Sequence, residues 1–411
     1  MFLGQTSIIT YILMFLSLYF EVFLLITFFE NFGKTKKEES RKILRYPTVT
    51  ITVPVYNEEK TVLKTIKTLL NLDYPKDKLK IIVVNDGSKD RTWEYLQTLK
   101  DNPQIELHNK ENGGKYTALN YSIKNSTSEL IGCLDADSFV EPHALKTIVA
   151  YFEDAETMAV TPAVKIYEPD NIIRHIQKNE YNMGVFNKKV LGQLGSINIT
   201  PGPFSFFRRE VFDIIGPFRH AHNTEDMEIA MRMQQHGLKI TNAHKACVYT
   251  VGPSTLKALY KQRLRWVYGY LKNLFDYRKM ILSSKYGYLG LFFLPFSTLM
   301  VAGALYYTGM VVYSVCKNLY SAILKIYTVG FYWHWPKFDW FYFSLDTIFI
   351  LAITLIGFSF FIIIMGSQLS EGKHGFSWHT LYFPFIFPMI SLIWLVKAIY
   401  NIIMHKKTSW R

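Results

Sequence analysis

The chain has 411 residues, of which 49% are hydrophobic, and a formal net charge of +13. A mean hydropathy of only +0.08 indicates that the apolar residues are concentrated in segments beside a polar domain. Three widely separated cysteines without CxxC spacing exclude a disulfide scaffold and a zinc-finger type of site.

The basic excess has two readings, nucleic-acid binding or a protein face that lies against anionic lipid. No basic and aromatic RNA-binding signature is present, so we expect no nucleic-acid partner. We favour the lipid reading because basic residues cluster directly after the first apolar segment. They are Lys34, Lys36, Lys37, Arg41, Lys42 and Arg45.

Residues 7–29 are almost continuously apolar, and a helix needs roughly 20 such residues to cross a bilayer. A signal peptide would have a basic start and a small-residue cleavage site, and neither is present. We therefore predict an uncleaved transmembrane helix. Its basic trailing end predicts, by the positive-inside rule, that the following domain is cytoplasmic at the plasma membrane.

Residues 46–253 alternate between β-branched runs and segments with helical spacing. Strands are predicted at 48–55, 80–84, 105–107 and 130–134, and helices at 58–70, 90–99 and 115–123. This alternation predicts an α/β domain with a Rossmann-like, mainly parallel sheet. Ligands of such sheets bind beyond the carboxyl ends of the strands.

Residues 254–282 mix large apolar side chains with Lys and Arg at helical spacing, which predicts an amphipathic helix in the membrane interface. Residues 288–404 then contain three apolar stretches, each long enough to span a bilayer (288–315, 343–365 and 382–404).

The topology of the C-terminal region carries a conflict. One span followed by three places the C terminus outside, whereas the basic residues His405, Lys406, Lys407 and Arg411 favour the inside. A re-entrant segment would resolve this, and Pro295, Pro384 and Pro388 leave room for one. We expect four full spans.

Asp135 and Asp137 come directly after a predicted strand. Two carboxylates at this spacing can hold a hard divalent cation while substrate phosphates complete its coordination. An ordinary acidic turn or a helix cap is the alternative, since Asp-x-Asp alone is common.

Three further features lie near predicted strand ends. Asp86 follows a strand and either contacts a nucleotide or ends a tight turn. Tyr56 and Glu58 belong to the segment 54–58, which ends the first strand and can shape a base pocket. Lys115 follows Asn-Gly-Gly at a helix start, which is either a phosphate contact or a glycine turn with a solvated lysine.

Thr224, Glu225 and Asp226 precede a run with helical spacing, so they lie at a helix start, where the helix dipole favours carboxylates. Thr224 or Asn223 could be an ordinary cap. Two successive acids remain, and Asp226 is the candidate general base, a role that contributes about 10² to 10⁴ in rate.

Gln262, Arg265 and Trp266 share one face of the predicted interface helix. Arginine can pair with a diphosphate, and tryptophan offers a flat surface to a sugar ring. The alternative is that both side chains snorkel at the membrane interface.

Taken in this order, the motifs resemble those of the inverting, processive family-2 glycosyltransferases, which include cellulose, chitin, hyaluronan and poly-β-1,6-N-acetylglucosamine synthases. The resemblance covers the N-terminal span, a GT-A catalytic domain, the interface helix and the C-terminal spans. It implies that Asp86 contacts the nucleotide, that Asp135 and Asp137 bind nucleotide and metal, and that Asp226 is the base. It also assigns the diphosphate and acceptor site to Thr224, Glu225, Gln262, Arg265 and Trp266.

The resemblance implies Mg²⁺ or Mn²⁺, a UDP-sugar donor of N-acetylglucosamine or another hexose, and a growing β-linked polysaccharide or oligosaccharide as acceptor. It leaves room for coupled export and an accessory export subunit. The segment 199–207 lacks the cysteine motif of the cellulose and hyaluronan enzymes, so the resemblance does not determine which sugar is transferred. Two alternatives are transfer of one sugar to a lipid, as in ceramide glucosyltransferases, and a non-catalytic nucleotide or sugar sensor.

Overall fold

The computed structural model describes residues 8–33, 41–331, 346–372 and 377–406. Several predicted features lie outside the described residues. They are the basic residues Lys34, Lys36, Lys37, Lys407 and Arg411, residue 7 of the first predicted span, and residues 343–345 at the start of the third.

Eight strands in the described part of the chain form one sheet. They are β1 (Val49–Val55), β2 (Leu79–Asp86), β3 (Ile105–Lys110), β4 (Leu130–Cys133), β5 (Ser138–Val140), β6 (Thr157–Ile166), β7 (Phe206–Arg208) and β8 (Lys239–Thr250). Their spatial order is β3-β2-β1-β4-β7-β6-β8-β5.

The sheet is mainly parallel, as predicted, with two short antiparallel strands. β3, β2, β1 and β4 run parallel to one another, and β6 is parallel to β8. β7 lies antiparallel between β4 and β6, and β5 is antiparallel to β8. The α/β fold class is therefore confirmed.

The described residues also form twelve α-helices. They are α1 (Ile8–Glu30), α2 (Val62–Leu70), α3 (Thr92–Gln97), α4 (Lys115–Asn125), α5 (Ala144–Tyr151), α6 (Ile172–Gln193), α7 (Arg209–Ile215), α8 (Glu225–Gln235), α9 (Leu256–Asp276), α10 (Leu294–Val329), α11 (Thr347–Glu371) and α12 (Trp378–Ile403).

The first strands form because β-branched and apolar residues are buried on both faces of the sheet. In β1, Val49, Ile51 and Val53 have no exposed surface, and Thr50 on the other face is equally buried. The helix predicted from residue 58 begins four residues later, at Val62. Asn57 has a φ of 55°, and the Glu58 N–H donates to Thr92 Oγ1 (2.8 Å), so the chain turns here before it enters α2.

The carboxyl ends of the parallel strands meet at one edge of the sheet. β1 ends at Val55, β2 ends at Asp86, and Asp135 follows β4 by two residues. Since β1 lies between β2 and β4, the polar residues that follow these strands are brought close together.

Four helices in the described residues are long and apolar enough to cross a membrane: Ile8–Glu30, Leu289–Val329, Thr347–Ser370 and Trp378–Ile403. They pack through aromatic and polar contacts. Phe20 of α1 stacks on Phe296 of α10 with ring centroids 3.9 Å apart, and Ser359 Oγ of α11 donates to Glu21 Oε1 of α1 (3.0 Å).

α9 joins the α/β domain to the membrane-capable helices. It packs against α12 on one side and against the short 3₁₀ turn Ala221–Asn223 on the other. Its N-cap, Thr255, accepts a hydrogen bond from the Ala258 N–H (3.2 Å).

We predict that Gly132→Ala destabilises the fold. Gly132 lies in β4, and a Cβ there would overlap the ring of the fully buried Phe206, which is packed in the core. Overpacking of this kind costs about 1–3 kcal/mol, so the thermal unfolding midpoint should fall. Gly357→Ala in α11 is the control, because no described atom lies within 4 Å of a Cβ there. Equal midpoints for the two variants would contradict the packing of β4 against β7.

Candidate active site

A large cavity, of about 1310 Å³, lies at the carboxyl edge of the sheet between α6, α8, α9 and α12. Its walls include every site residue predicted from the sequence. These are Tyr56, Glu58, Asp86, Lys115, Asp135, Asp137, Thr224, Glu225, Asp226, Gln262, Arg265 and Trp266.

The two acids after β4 have different partners. Asp135 Oδ1 pairs with Lys115 Nζ at 2.5 Å. Asp137 Oδ1 accepts hydrogen bonds from Ser138 Oγ (3.2 Å) and Thr250 Oγ1 (3.4 Å). Burial raises the pKa of Asp137, and the charges of Asp135 and Glu58 raise it further. A cation at this position would relieve that repulsion.

The donor set fits a cation that shares its coordination with a substrate. No group of three or more His, Cys, Asp or Glu side chains converges on one point within the described ranges. Asp135 and Asp137 therefore supply two carboxylates at most, which is typical of Mg²⁺ sites that substrate phosphates complete.

Lys115 ties two motifs together at the start of α4. Its Nζ lies 2.5 Å from Asp135 Oδ1 and 3.3 Å from Glu225 Oε1. Burial alone would lower the pKa of Lys115, but the charges of Asp135 and Glu225 raise it above the ordinary lysine value. A Cβ at Gly202 would lie 2.5 Å from this ammonium and 2.9 Å from Asp135 Oδ2, so a side chain there would displace the Lys115–Asp135 ion pair.

Asp86 is buried and holds the glycine loop that precedes α4. Its carboxylate accepts hydrogen bonds from the N–H groups of Gly113 (3.0 Å) and Gly114 (2.8 Å) and pairs with Lys110 Nζ (2.6 Å). The two glycine N–H groups that precede Lys115 are therefore directed at Asp86. Asp86 lines the cavity, but its carboxylate has a structural role in this arrangement.

The segment before Asp226 has an unusual backbone. Ala221, His222 and Asn223 have φ values of 42°, 54° and 65°, a left-handed conformation that is costly for residues other than glycine. Such a run persists when surrounding contacts hold it in place. It places Thr224, Glu225 and Asp226 at the start of α8.

Thr224 is the N-cap residue of α8, but its side chain makes no capping hydrogen bond. Its Oγ1 donates to the Ala221 carbonyl (3.1 Å) and accepts from Asn273 Nδ2 of α9 (2.8 Å). A Cβ at Gly269, also in α9, would overlap the Thr224 side chain. The threonine hydroxyl is thus used to fasten this segment to α9.

Two further contacts hold the same segment against α9. Arg265 Nη1 donates to the Asn223 carbonyl (3.2 Å), and His222 Nε2 lies 2.9 Å from Asp276 Oδ2. We call the contacts of Thr224, Asn223 and His222 with α9 the α9 clamp.

Asp226 is fixed from the other side by the loop 199–203. Its carbonyl accepts hydrogen bonds from the N–H (3.1 Å) and Oγ1 (3.0 Å) of Thr200, and its own Oδ1 accepts from the Met227 N–H (2.9 Å). Burial raises the pKa of Asp226 to about 6, and the adjacent Glu225 charge contributes, while Lys115 and Arg265 oppose the shift. Such a carboxyl group is suited to accept a proton near neutral pH.

The structure adds residues that the sequence analysis missed. Arg263 lies between two named residues of α9, and its position three before Trp266 was an available signal. Glu180, Tyr181 and Lys188 line the cavity from α6, where no motif marks them. Burial lowers the pKa of Lys188 to about 8, and the Asp226 charge acts against that shift.

A family model described as "Glycosyltransferase like family 2" matches residues 47–269, more than half of the chain. The chain belongs to this family. The match confirms the resemblance inferred from the motifs, and it covers the α/β domain and most of α9.

The chain is also similar to two staphylococcal proteins named poly-beta-1,6-N-acetyl-D-glucosamine synthase. The protein from Staphylococcus aureus (strain COL) is 32% identical over 225 residues, 54% of each chain. That from Staphylococcus epidermidis is 32% identical over 218 residues, 52% of each chain. The match spans about half the length of these curated relatives.

The fold is similar to that of a solved structure, the mannosyltransferase PcManGT from Pyrobaculum calidifontis in complex with GDP-Man and Mn²⁺. The TM-score is 0.55 at 16% sequence identity, covering 96% of this chain and 99% of that one. At this identity the likeness supports the GT-A fold alone.

We predict that Asn273→Ala loosens the α9 clamp. The variant loses the hydrogen bond to Thr224 Oγ1, a loss worth about 1 kcal/mol, so amide hydrogen exchange in residues 221–226 should accelerate about fivefold. Lys272→Ala, one residue earlier in the same helix, is the control and should leave this exchange unchanged. Unchanged exchange in Asn273→Ala would show that Asn273 does not hold the segment.

Proposed function

We propose that this protein is an inverting, processive membrane glycosyltransferase. It transfers N-acetylglucosamine, or another hexose, from a UDP-sugar to a growing β-linked polysaccharide. The observation that carries the proposal is the convergence of Asp226, the Asp135 and Asp137 pair, and Trp266 on one cavity in a family-2 chain. The names of the staphylococcal relatives favour N-acetylglucosamine among the hexoses.

We place the donor diphosphate where acidic and basic side chains line the cavity together. Asp135 and Asp137 would hold Mg²⁺ or Mn²⁺, which would neutralise charge on the departing diphosphate. The mannosyltransferase of similar fold is a Mn²⁺ complex, which is consistent with a divalent ion here. Lys115 and Arg265 line the same space and can pair with phosphate oxygens.

The nucleoside end of the donor fits beside β1. Tyr56 and Glu58 line the cavity directly after that strand. Asp86 lines the cavity at this end and supports it through the glycine loop that it holds.

Asp226 acts as the base. Its carboxylate takes the proton from an acceptor hydroxyl while that oxygen bonds to the anomeric carbon. The bond from the anomeric carbon to the diphosphate oxygen breaks, and UDP leaves with the electron pair. Because the acceptor attacks from the face opposite UDP, the configuration inverts and a β-linkage forms.

The acceptor lies toward the membrane. Trp266 offers an aromatic face in the cavity, and the same cavity reaches Phe387 and Trp394 of α12, a membrane-capable helix. This continuity supports a passage from the reaction centre into a multi-pass membrane region. We place the α/β domain in the cytoplasm, where UDP-sugars are made available, and the chain in the plasma membrane; an accessory export subunit is compatible with this arrangement.

We predict that Asp226→Asn nearly abolishes turnover. The amide preserves the shape of the side chain but cannot accept the proton, so UDP release from UDP-N-acetylglucosamine should fall by about 10²- to 10⁴-fold. Wild-type release should need Mg²⁺ or Mn²⁺ and stop with EDTA. Undiminished turnover in Asp226→Asn would remove Asp226 from its role. Mass spectrometry of the product separates a polymer from the single glycolipid of the lipid-acceptor alternative.

We also predict an acid limb in the pH profile of kcat, since the base works only when deprotonated. The raised pKa of Asp226, about 6, means that kcat should rise with pH through that region and fall about tenfold per unit below it. Glu225→Gln removes a negative charge that raises this pKa, so the acid limb of the kcat profile of this variant should lie at lower pH than that of the wild type. A wild-type kcat that does not change between about pH 5 and about pH 7, on either side of the pKa of Asp226, would contradict the assignment.

A further inference from the structure

The second half of α10 is a helix surface that packs against nothing in the described part of the chain. All residues from 309 to 331 are exposed except Ser314, which is partly buried. The first half is packed against α1: Phe296 stacks on Phe20, and a Cβ at Gly303 would lie 3.1 Å from Leu13 Cδ2. Leu13 lies near the start of α1, so α10 continues beyond the end of the helix that it packs against.

α10 is also too long for one crossing of a bilayer. With the π-helical turn before it, the continuous helix Leu289–Val329 has 41 residues. Even at a tilt of about 40°, about 26 residues are enough to cross a hydrocarbon core of about 30 Å. The start of the helix packs against Met227 and Met231 of the α/β domain, so its end leaves the bilayer on the opposite side.

The sequence of this second half repeats every seven residues. Two heptads, Val-Tyr-Ser-Val-Cys-Lys-Asn (312–318) and Leu-Tyr-Ser-Ala-Ile-Leu-Lys (319–325), are followed by Ile-Tyr-Thr-Val (326–329). With Val312 at heptad position a, every residue at positions a and d is aliphatic. These residues, which we call the α10 seam, are Val312, Val315, Leu319, Ala322, Ile326 and Val329. Such a repeat is typical of a helix that pairs with another helix in a left-handed coiled coil.

The α10 seam is open in the described chain. Its large side chains are between 49% exposed, at Ile326, and 73% exposed, at Val329. The polar residues of the same stretch share a second face of the helix, at positions c, f and g. They are Ser314, Lys317, Asn318, Ser321, Lys325 and Thr328. A helix with one apolar stripe and one polar face buries the stripe against a partner, whereas a helix surrounded by lipid is apolar on every side.

The direction of α10 excludes the lipid surface as that partner. The only proline of the helix lies in its first turn, so nothing bends the chain where it leaves the bilayer. Residues 309–329 therefore continue the line of the membrane span and do not lie flat on the leaflet. The α10 seam faces sideways, toward another helix that leaves the membrane in the same way.

A second copy of this chain supplies such a helix. Two copies in one membrane have the same orientation, so their α10 helices run parallel about a two-fold axis along the membrane normal. Each seam residue then meets its counterpart, and the β-branched Val312 and Ile326 at position a favour two strands. Lys325 at position g faces position e of the partner helix, which is Gly330, so like charges do not meet.

We propose that this protein forms a parallel dimer in which residues 309–329 of the two α10 helices pair as a coiled coil. The pairing lies on the side of the membrane opposite the α/β domain. None of these residues lines the cavity of the candidate active site. The proposal therefore goes beyond the proposed function and does not depend on it.

Co-purification of two tagged copies of the full chain tests the proposal. The copies carry different tags and are expressed together, and the second tag is measured after purification on the first. We expect the wild-type copies to co-purify. Leu319→Glu combined with Ile326→Glu should lower the co-purified fraction about tenfold or more, because the seam would bury unpaired charges. Lys317→Glu combined with Leu324→Glu, at position f of the same two heptads, is the matched control and should behave as the wild type.

Cysteine cross-linking in intact membranes tests which face pairs, and it keeps the test valid if the glutamate variants insert poorly. Cys316 is exposed on this helix, so Cys316→Ser is the background of both variants. On oxidation, Val315→Cys at position d should give a disulfide-linked product of twice the chain mass. Lys317→Cys at position f should give about tenfold less, because f residues point away from the partner helix.

Three results would overturn the proposal. In the first, the wild-type copies do not co-purify, or the seam and control glutamate pairs have equal effects. In the second, Val315→Cys cross-links no more than Lys317→Cys, which is expected if lipid or glycan covers the helix. In the third, the cross-linked product differs from twice the chain mass, which would identify a different protein as the occupant of the α10 seam.

Discussion

The contact between Thr224 and α9 is the constraint on which the site depends. Asn273 donates to the Thr224 hydroxyl, and the absence of a side chain at Gly269 lets the threonine approach the helix closely. These contacts hold three left-handed residues in place and set the start of α8. Asp226 is therefore positioned by the same helix that carries Trp266. The proposed base and the proposed acceptor surface are parts of one rigid arrangement.

The acidic and basic side chains that line the cavity are arranged to bind a charged ligand. Lys115 is shared between Asp135 and Glu225, so it links the acids after β4 to the segment before α8. Asp137 and Asp226 remain buried beside like charges, and the pKa of each is raised for that reason. A divalent cation bound with the substrate would relieve this repulsion at Asp137. Lys115 links the two ends of the cavity by its ion pairs with Asp135 and Glu225.

Much of this arrangement could be predicted from the sequence, because it follows from local patterns. β-branched runs predicted β1 and β2, and the parallel sheet then placed Asp86 and Asp135 at one edge. Other features depend on contacts between distant residues. The carboxylate of Asp86 is used by the glycine loop, the hydroxyl of Thr224 is used by α9, and Glu180 meets Arg263 from a helix without any motif. Local sequence carries no signal for which partner a buried polar group will find.

The most direct test of the central claim is an experimental structure of the full chain with UDP and Mn²⁺. The account predicts diphosphate density in the cavity between Lys115, Arg265 and the Asp135–Asp137 pair, with Thr224 still bonded to Asn273 and Asp226 facing the space beside Trp266. UDP bound outside this cavity, or Asp226 turned away from it with Thr224 detached from α9, would contradict the account.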